Sequence, residues 1–142
     1  MIPVTHLHPI LVHFPIALIT FGFLAELAFL FFRKEISSTK TGYYLLIAGL
    51  LTGGLSWLTG NFFTPDMSGK PGEMKEIHAL FATITVVLVL LTSIIRTYIL
   101  VQKNENPNLK GVAFILYALA TISVGITGFL GGELVYTYML RL

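Results

Sequence analysis

Four long apolar stretches, each bounded by a short polar break, set the pattern of this chain. They run from about Pro9 to Phe32, Tyr43 to Phe63, Ile77 to Val101 and Gly111 to Tyr136. Each is long enough for the roughly 20 residues that an α-helix needs to cross a bilayer core. The connections read RKEISSTK, TPDMSGKPGEMKE and QKNENPNLK. Connections this short force neighbouring helices to run antiparallel. The expected fold is therefore all-α: one integral membrane up-down four-helix bundle spanning residues 1–142 as a single domain.

Composition supports a membrane class. The chain is 55% hydrophobic and 11% charged, whereas soluble domains carry about 25% charged residues. Too few charges remain to clothe a water-exposed surface. A net charge of +2 with no basic cluster excludes a nucleic-acid partner. The absence of cysteine excludes disulfides, covalent c-type haem, iron–sulfur clusters and thiolate zinc sites. No basic residue precedes Arg33, so no cleavable signal peptide is visible and the first helix is expected to stay.

Basic residues near the helix ends set an expected orientation. Arg33, Lys34, Lys40, Arg96, Lys103 and Lys110 cluster at connections one and three, against Lys70, Lys75 and Arg141 at the other end. Six against three puts connections one and three in the cytoplasm and both termini in the periplasm of a bacterial inner membrane. His6, His8, His13, Trp57, Asn61, His78, Glu133, Tyr136 and Tyr138 then all gather in the outer layer.

Spacing organises the inner faces. An ideal helix returns to the same line after 18 residues. His8 and Glu26 are 18 apart, as are His78 and Arg96, with Thr85 and Thr92 near the second line. Glu26 and Arg96 thus share a depth, and an intramembrane charge is expected to face the bundle and find a partner. A Glu26–Arg96 ion pair is one expectation; the other has Arg96 snorkelling to the headgroups. Of the opening histidines, Pro9 suits a first helical turn and makes His8 a capping or surface residue, with His13 pointing inward. Pro15 removes a backbone bond to residue 11 and is expected to kink the helix, so the reverse assignment is also open. Gly49, Gly53, Gly60, Gly125, Gly128, Gly131 and Gly132 permit close packing, and would equally leave room for a flat cofactor.

Histidines from two membrane helices at one depth are what a b-type haem needs. His13 and His78 are the expected axial ligands, with His8 the alternate to His13, and Asn61 and Glu133 as supporting groups. Electron transfer is the function this suggests. The rival is a non-haem zinc, copper or iron site that adds Glu133 to the histidines; a third reading is a small accessory subunit that binds a larger respiratory or photosynthetic membrane complex, or pigments, through its lipid-facing surface. The chain has no HExxH, P-loop, Rossmann or GxSxG motif, and no nucleophile is paired with a base, so catalysis has no support.

At these residues a resemblance appears. HPILVHFPIAL, an acidic residue thirteen beyond the second histidine, a later helix opening at a histidine, and the terminal GFLGGELVY resemble the bacterial membrane family catalogued as domain of unknown function 2231. The matching positions are His8, Pro9, His13, Pro15, Glu26, His78, Gly131, Gly132, Glu133 and Tyr136. The resemblance implies a four-helix inner-membrane protein in a haem or redox setting with redox partners. Family members often carry a histidine shortly after the final tyrosine; here the run is YTYML, with Tyr138 in that neighbourhood.

Overall fold

The computed structural model describes residues 7–34 and 39–138; His6 and Arg141 lie outside them. Five helical segments form four spans. Helices α1 (Leu7–Leu11) and α2 (His13–Arg33) make the first, α3 (Lys40–Phe63) the second, α4 (Lys70–Val101) the third and α5 (Pro107–Tyr136) the fourth. All four spans are long and apolar enough to cross a membrane. No strand occurs among the described residues. The helices pack in a ring: α2 on α3 and α4 on α5 most extensively, closed by α3–α4 and α2–α5. Spans one and three are therefore diagonal partners that run parallel.

The helix ends follow local chemistry. The first span stays helical through Val12, at φ −61°, ψ −25°, although Pro15 has no N–H to give to the carbonyl of Leu11. The hydrogen-bond ladder survives on either side of that missing bond, through Val12 N–H to His8 O at 3.1 Å and Ile16 N–H to Val12 O at 3.5 Å. All four spans start earlier than apolarity alone predicts, the third and fourth by the most. The third begins at Lys70, with Pro71 in its first turn and Glu73 against its positive end. Gly69, at φ +68°, ψ −150°, admits this entry because only glycine adopts that region readily. The fourth begins at Pro107, where the Asn106 side chain caps the N–H of Asn108.

The centre of the bundle is apolar: Ile19, Leu46, Val89, Tyr117, Ala120 and Val124 form one buried cluster. Outward positions such as Phe21, Phe31, Leu51, Leu90 and Phe129 are exposed, the arrangement a lipid-facing surface requires.

Below this cluster a polar layer ties all four spans together. Glu26 and Arg96, 4% and 3% exposed, pair with Arg96 Nη2 at 2.7 Å from Glu26 Oε1. Arg96 thus turns into the bundle and does not snorkel. Thr39 completes the layer. Its N–H donates to Glu26 Oε1 and Oε2 at 3.1 and 3.3 Å, and its hydroxyl donates to Oε1 at 2.8 Å. Its carbonyl accepts from Arg96 Nη2 at 3.0 Å. The same hydroxyl caps α3 by accepting from Gly42 N–H at 2.9 Å. Tyr117 contributes from the fourth span: its ring lies 5.7 Å beneath the Arg96 guanidinium, and its hydroxyl donates to Gly42 O at 3.4 Å. A Cβ at Gly42 would collide with the Glu26 carboxylate, and one at Gly22 with the Tyr117 hydroxyl. Both glycines exist to let the network close.

Removing one partner leaves the other charge buried and uncompensated, at a cost of about 3–5 kcal/mol. Glu26→Leu and Arg96→Leu should each lower the thermal midpoint of the detergent-purified protein by an amount of that order. The double variant should recover most of the loss. Single variants melting like the wild type would show that the bundle does not depend on the pair.

Candidate functional site: the paired histidines

The opposite end of the bundle holds a second polar layer. His8 comes from α1 and His78 from the third turn of α4. Their ring centroids are 6.1 Å apart, with the planes at 83°. His8 Nδ1 lies 2.9 Å from the carbonyl of Ser56 on α3, with Thr59 Oγ1 at 3.4 Å. His78 Nδ1 lies 3.0 Å from the carbonyl of Thr127 on α5. A carbonyl can only accept, so each Nδ1 must donate, and this fixes the tautomer of both rings. Each Nε2 then carries a lone pair that takes no protein hydrogen bond among the described residues. A carbonyl-anchored imidazole with its second nitrogen open is the form in which histidine binds metals.

Glycines seat both rings. A Cβ at Gly60 would sit 2.9 Å from His8 Cε1, and one at Gly131 would sit 3.2 Å from His78 Cε1. Inward of His78, Thr85, Ser123 and Thr127 form a hydroxyl cluster. Thr85 Oγ1 is 2.8 Å from Ser123 Oγ and 3.4 Å from Thr127 Oγ1. It braces α4 against α5 at the level that holds the Thr127 carbonyl.

His13 does not join this pair. It is exposed, and its Nδ1 donates to Pro9 O, one turn back along the first span, at 2.9 Å. The inward histidine of the first span is His8, the reverse of the capping assignment. The reason is helical period: His8 lies 18 residues before Glu26 and so on its buried stripe, while His13 is five residues on, about 140° around the helix. Asn61 is exposed and donates to Trp57 O at 2.8 Å, and Glu133 accepts from the Thr137 hydroxyl at 2.8 Å. Neither hydrogen-bonds to a histidine; the supporting groups are the carbonyls of Ser56 and Thr127. Trp57 Nε1 donates to Thr83 Oγ1 at 2.9 Å, linking the second and third spans near the same level. Phe14, Phe62 and Phe63 face outward, while Phe81 is half-buried. Among the described residues no three His, Asp or Glu side chains converge as a metal cage would need. An open groove between α2 and the start of α3, touching Ala25, Phe29, Arg33, Thr39 and Thr41, lies at the far end from the histidines.

Four apolar spans around an apolar centre, with a polar layer towards each end, define a small multi-pass membrane protein embedded in a lipid bilayer. The model of the family described as "Predicted membrane protein (DUF2231)" matches residues 5–142, and the chain belongs to that family. Neither a curated protein nor a solved structure matches it.

Adjacent glycines on α5 offer a test of the ring seat. Alanine is favoured over glycine in a helix by about 1 kcal/mol. Gly132, whose Cβ position is open, should gain thermal stability as Gly132→Ala. Gly131→Ala must push on the His78 ring and should gain nothing or lose. Equal gains at both positions in detergent melting would mean that His78 is not held against Gly131.

Proposed function

We propose that His8 and His78 are the axial ligands of a b-type haem held near the periplasmic face of a bacterial inner membrane. The observation that carries this reading is the pair itself: two neutral imidazoles from parallel diagonal spans, each anchored through Nδ1 and each with Nε2 open. The two ring centroids lie 6.1 Å apart, so both imidazoles are close enough to serve one group. A haem brings four nitrogens of its own, so two protein ligands complete its iron. A bare zinc, copper or iron ion usually takes three or four protein ligands, and no such group occurs among the described residues. The donor set present therefore fits a haem better than a bare ion.

When bound, the haem would supply a one-electron redox couple. The residues of the chain do the rest. Ser56 O and Thr127 O hold the imidazoles in the Nδ1–H form and increase their basicity toward iron. Gly60 and Gly131 let the rings lie against the flanking helices. Electron exchange with redox proteins on the periplasmic side, alone or within a larger membrane complex, is the role that follows. The excess of Arg and Lys at the Arg96 end supports that orientation, with both termini periplasmic.

Visible spectra of the detergent-purified protein, expressed with adequate haem supply, provide the test. The wild type should show a Soret band and, on reduction with dithionite, sharp α and β bands. His8→Ala and His78→Ala should each lose the reduced low-spin spectrum, while His13→Ala keeps it. A colourless wild type carrying stoichiometric zinc, copper or iron would replace the haem reading with a metal one, and His6→Ala would then test a third ligand. Loss of the spectrum in His13→Ala, with retention in His8→Ala, would overturn the ligand assignment.

A further inference from the structure

Three buried polar side-chain atoms lack a hydrogen-bond partner among the described residues: Ser56 Oγ, Ser93 Oγ and Arg96 Nε. Two of the three lie one turn apart on the buried face of α4. Ser93 and Arg96 are each 3% exposed. Residues three apart on a helix are neighbours, with Cβ atoms about 5–6 Å apart. Long helical side chains also lean back over the preceding turn, which carries the Arg96 stem toward Ser93.

The hydroxyl of Ser93 stands out against the others in the bundle. Thr52, Thr83, Thr85, Thr92, Thr121 and Thr127 each donate to the carbonyl four residues earlier. That bond satisfies a hydroxyl within its own helix. Ser93 makes no such bond, although the same solution is one rotamer away. The Arg96 guanidinium commits Nη2 to Glu26 and to Thr39 O and leaves its Nε–H unanswered. An unanswered donor buried in an apolar bundle costs about 1–3 kcal/mol, more when charged.

We propose that a single water molecule is bound between Ser93 Oγ and Arg96 Nε. The occupant must accept a hydrogen bond, because a guanidinium N–H can only donate. It must be neutral, because Glu26 already balances the charge of Arg96 and an added anion would lie uncompensated in the bundle. It must be small, because both atoms are sealed from solvent. Water meets all three conditions, accepting from Nε–H and exchanging a hydrogen bond with the Ser93 hydroxyl. Buried waters of this kind typically make about three hydrogen bonds and occur on the order of once per 27 residues. The Glu26–Arg96 pair is then internally hydrated, which offsets part of the desolvation cost of keeping two charges in the membrane. This site does not depend on what the histidines bind.

The chain has three arginines, Arg33, Arg96 and Arg141, so nitrogen-labelled arginine gives three Nε–H signals in an NMR spectrum of the micelle-embedded protein. The signal absent from Arg96→Lys identifies Arg96. In the wild type this Nε–H should show a through-space cross-peak to water, and Ser93→Ala should lose most of its intensity. Absence of the cross-peak in the wild type overturns the proposal, whatever the variant does. A cross-peak of unchanged intensity in Ser93→Ala overturns the part assigned to Ser93. A high-resolution structure with Ser93 Oγ turned to Val89 O and no density beside Arg96 Nε would also overturn it.

Discussion

The rest of this bundle depends on a single buried ion pair. A charge inside a membrane must be answered by the protein, and Glu26 on the first span can be answered only by a cation at its own depth. Arg96 on the third span meets it at 2.7 Å. Spans one and three run parallel, so fixing one pair of residues fixes the register along both helices. Eighteen residues, about 27 Å at 1.5 Å per residue, separate Glu26 from His8 and Arg96 from His78. Once the charges are matched at one end, the two histidines arrive together at the other. The 6.1 Å separation of their rings is the far consequence of that match.

Much of this was legible in the sequence because it rests on period. Four apolar runs gave four spans, and the repeated interval of 18 linked a histidine to a charge on two helices. What the sequence left open was the first turn, where Pro9 and Pro15 made either His8 or His13 a candidate for the inward position. The first span keeps helical dihedrals through Val12, so the 18-residue period itself carries His8 onto the buried stripe of Glu26. The anchors of the histidines were invisible for another reason. Ser56 and Thr127 act through their carbonyls, and every residue has one, so side-chain identity carried no signal.

Thr39 and Tyr117 were missed although signals existed. Thr39 ends the polar run RKEISST immediately before the second span, the position of a helix N-cap. An N-cap hydroxyl normally satisfies its own helix; here it also donates to Glu26, so the cap of one helix becomes part of the charge network of another. Tyr117 is the one large polar side chain in the middle of the fourth span. A buried tyrosine hydroxyl needs a partner, and Gly22 and Gly42 clear the space in which it finds one. Read together, Gly22, Gly42 and Tyr117 specify a close approach of three helices that none specifies alone.

The two polar layers are kept apart, and that separation constrains what the bundle can do. Between them lie Ile19, Leu46, Val89, Ala120 and Val124, all buried. Thr92 and Thr121 each donate to a carbonyl of their own helix, whereas Thr85, Ser123 and Thr127 hydrogen-bond to one another beside His78. The ion-pair end accordingly reads as architecture: it sets register, caps α3 and holds its charges balanced. The histidine end has the open donor atoms. A cofactor held there would communicate through the nearer membrane face.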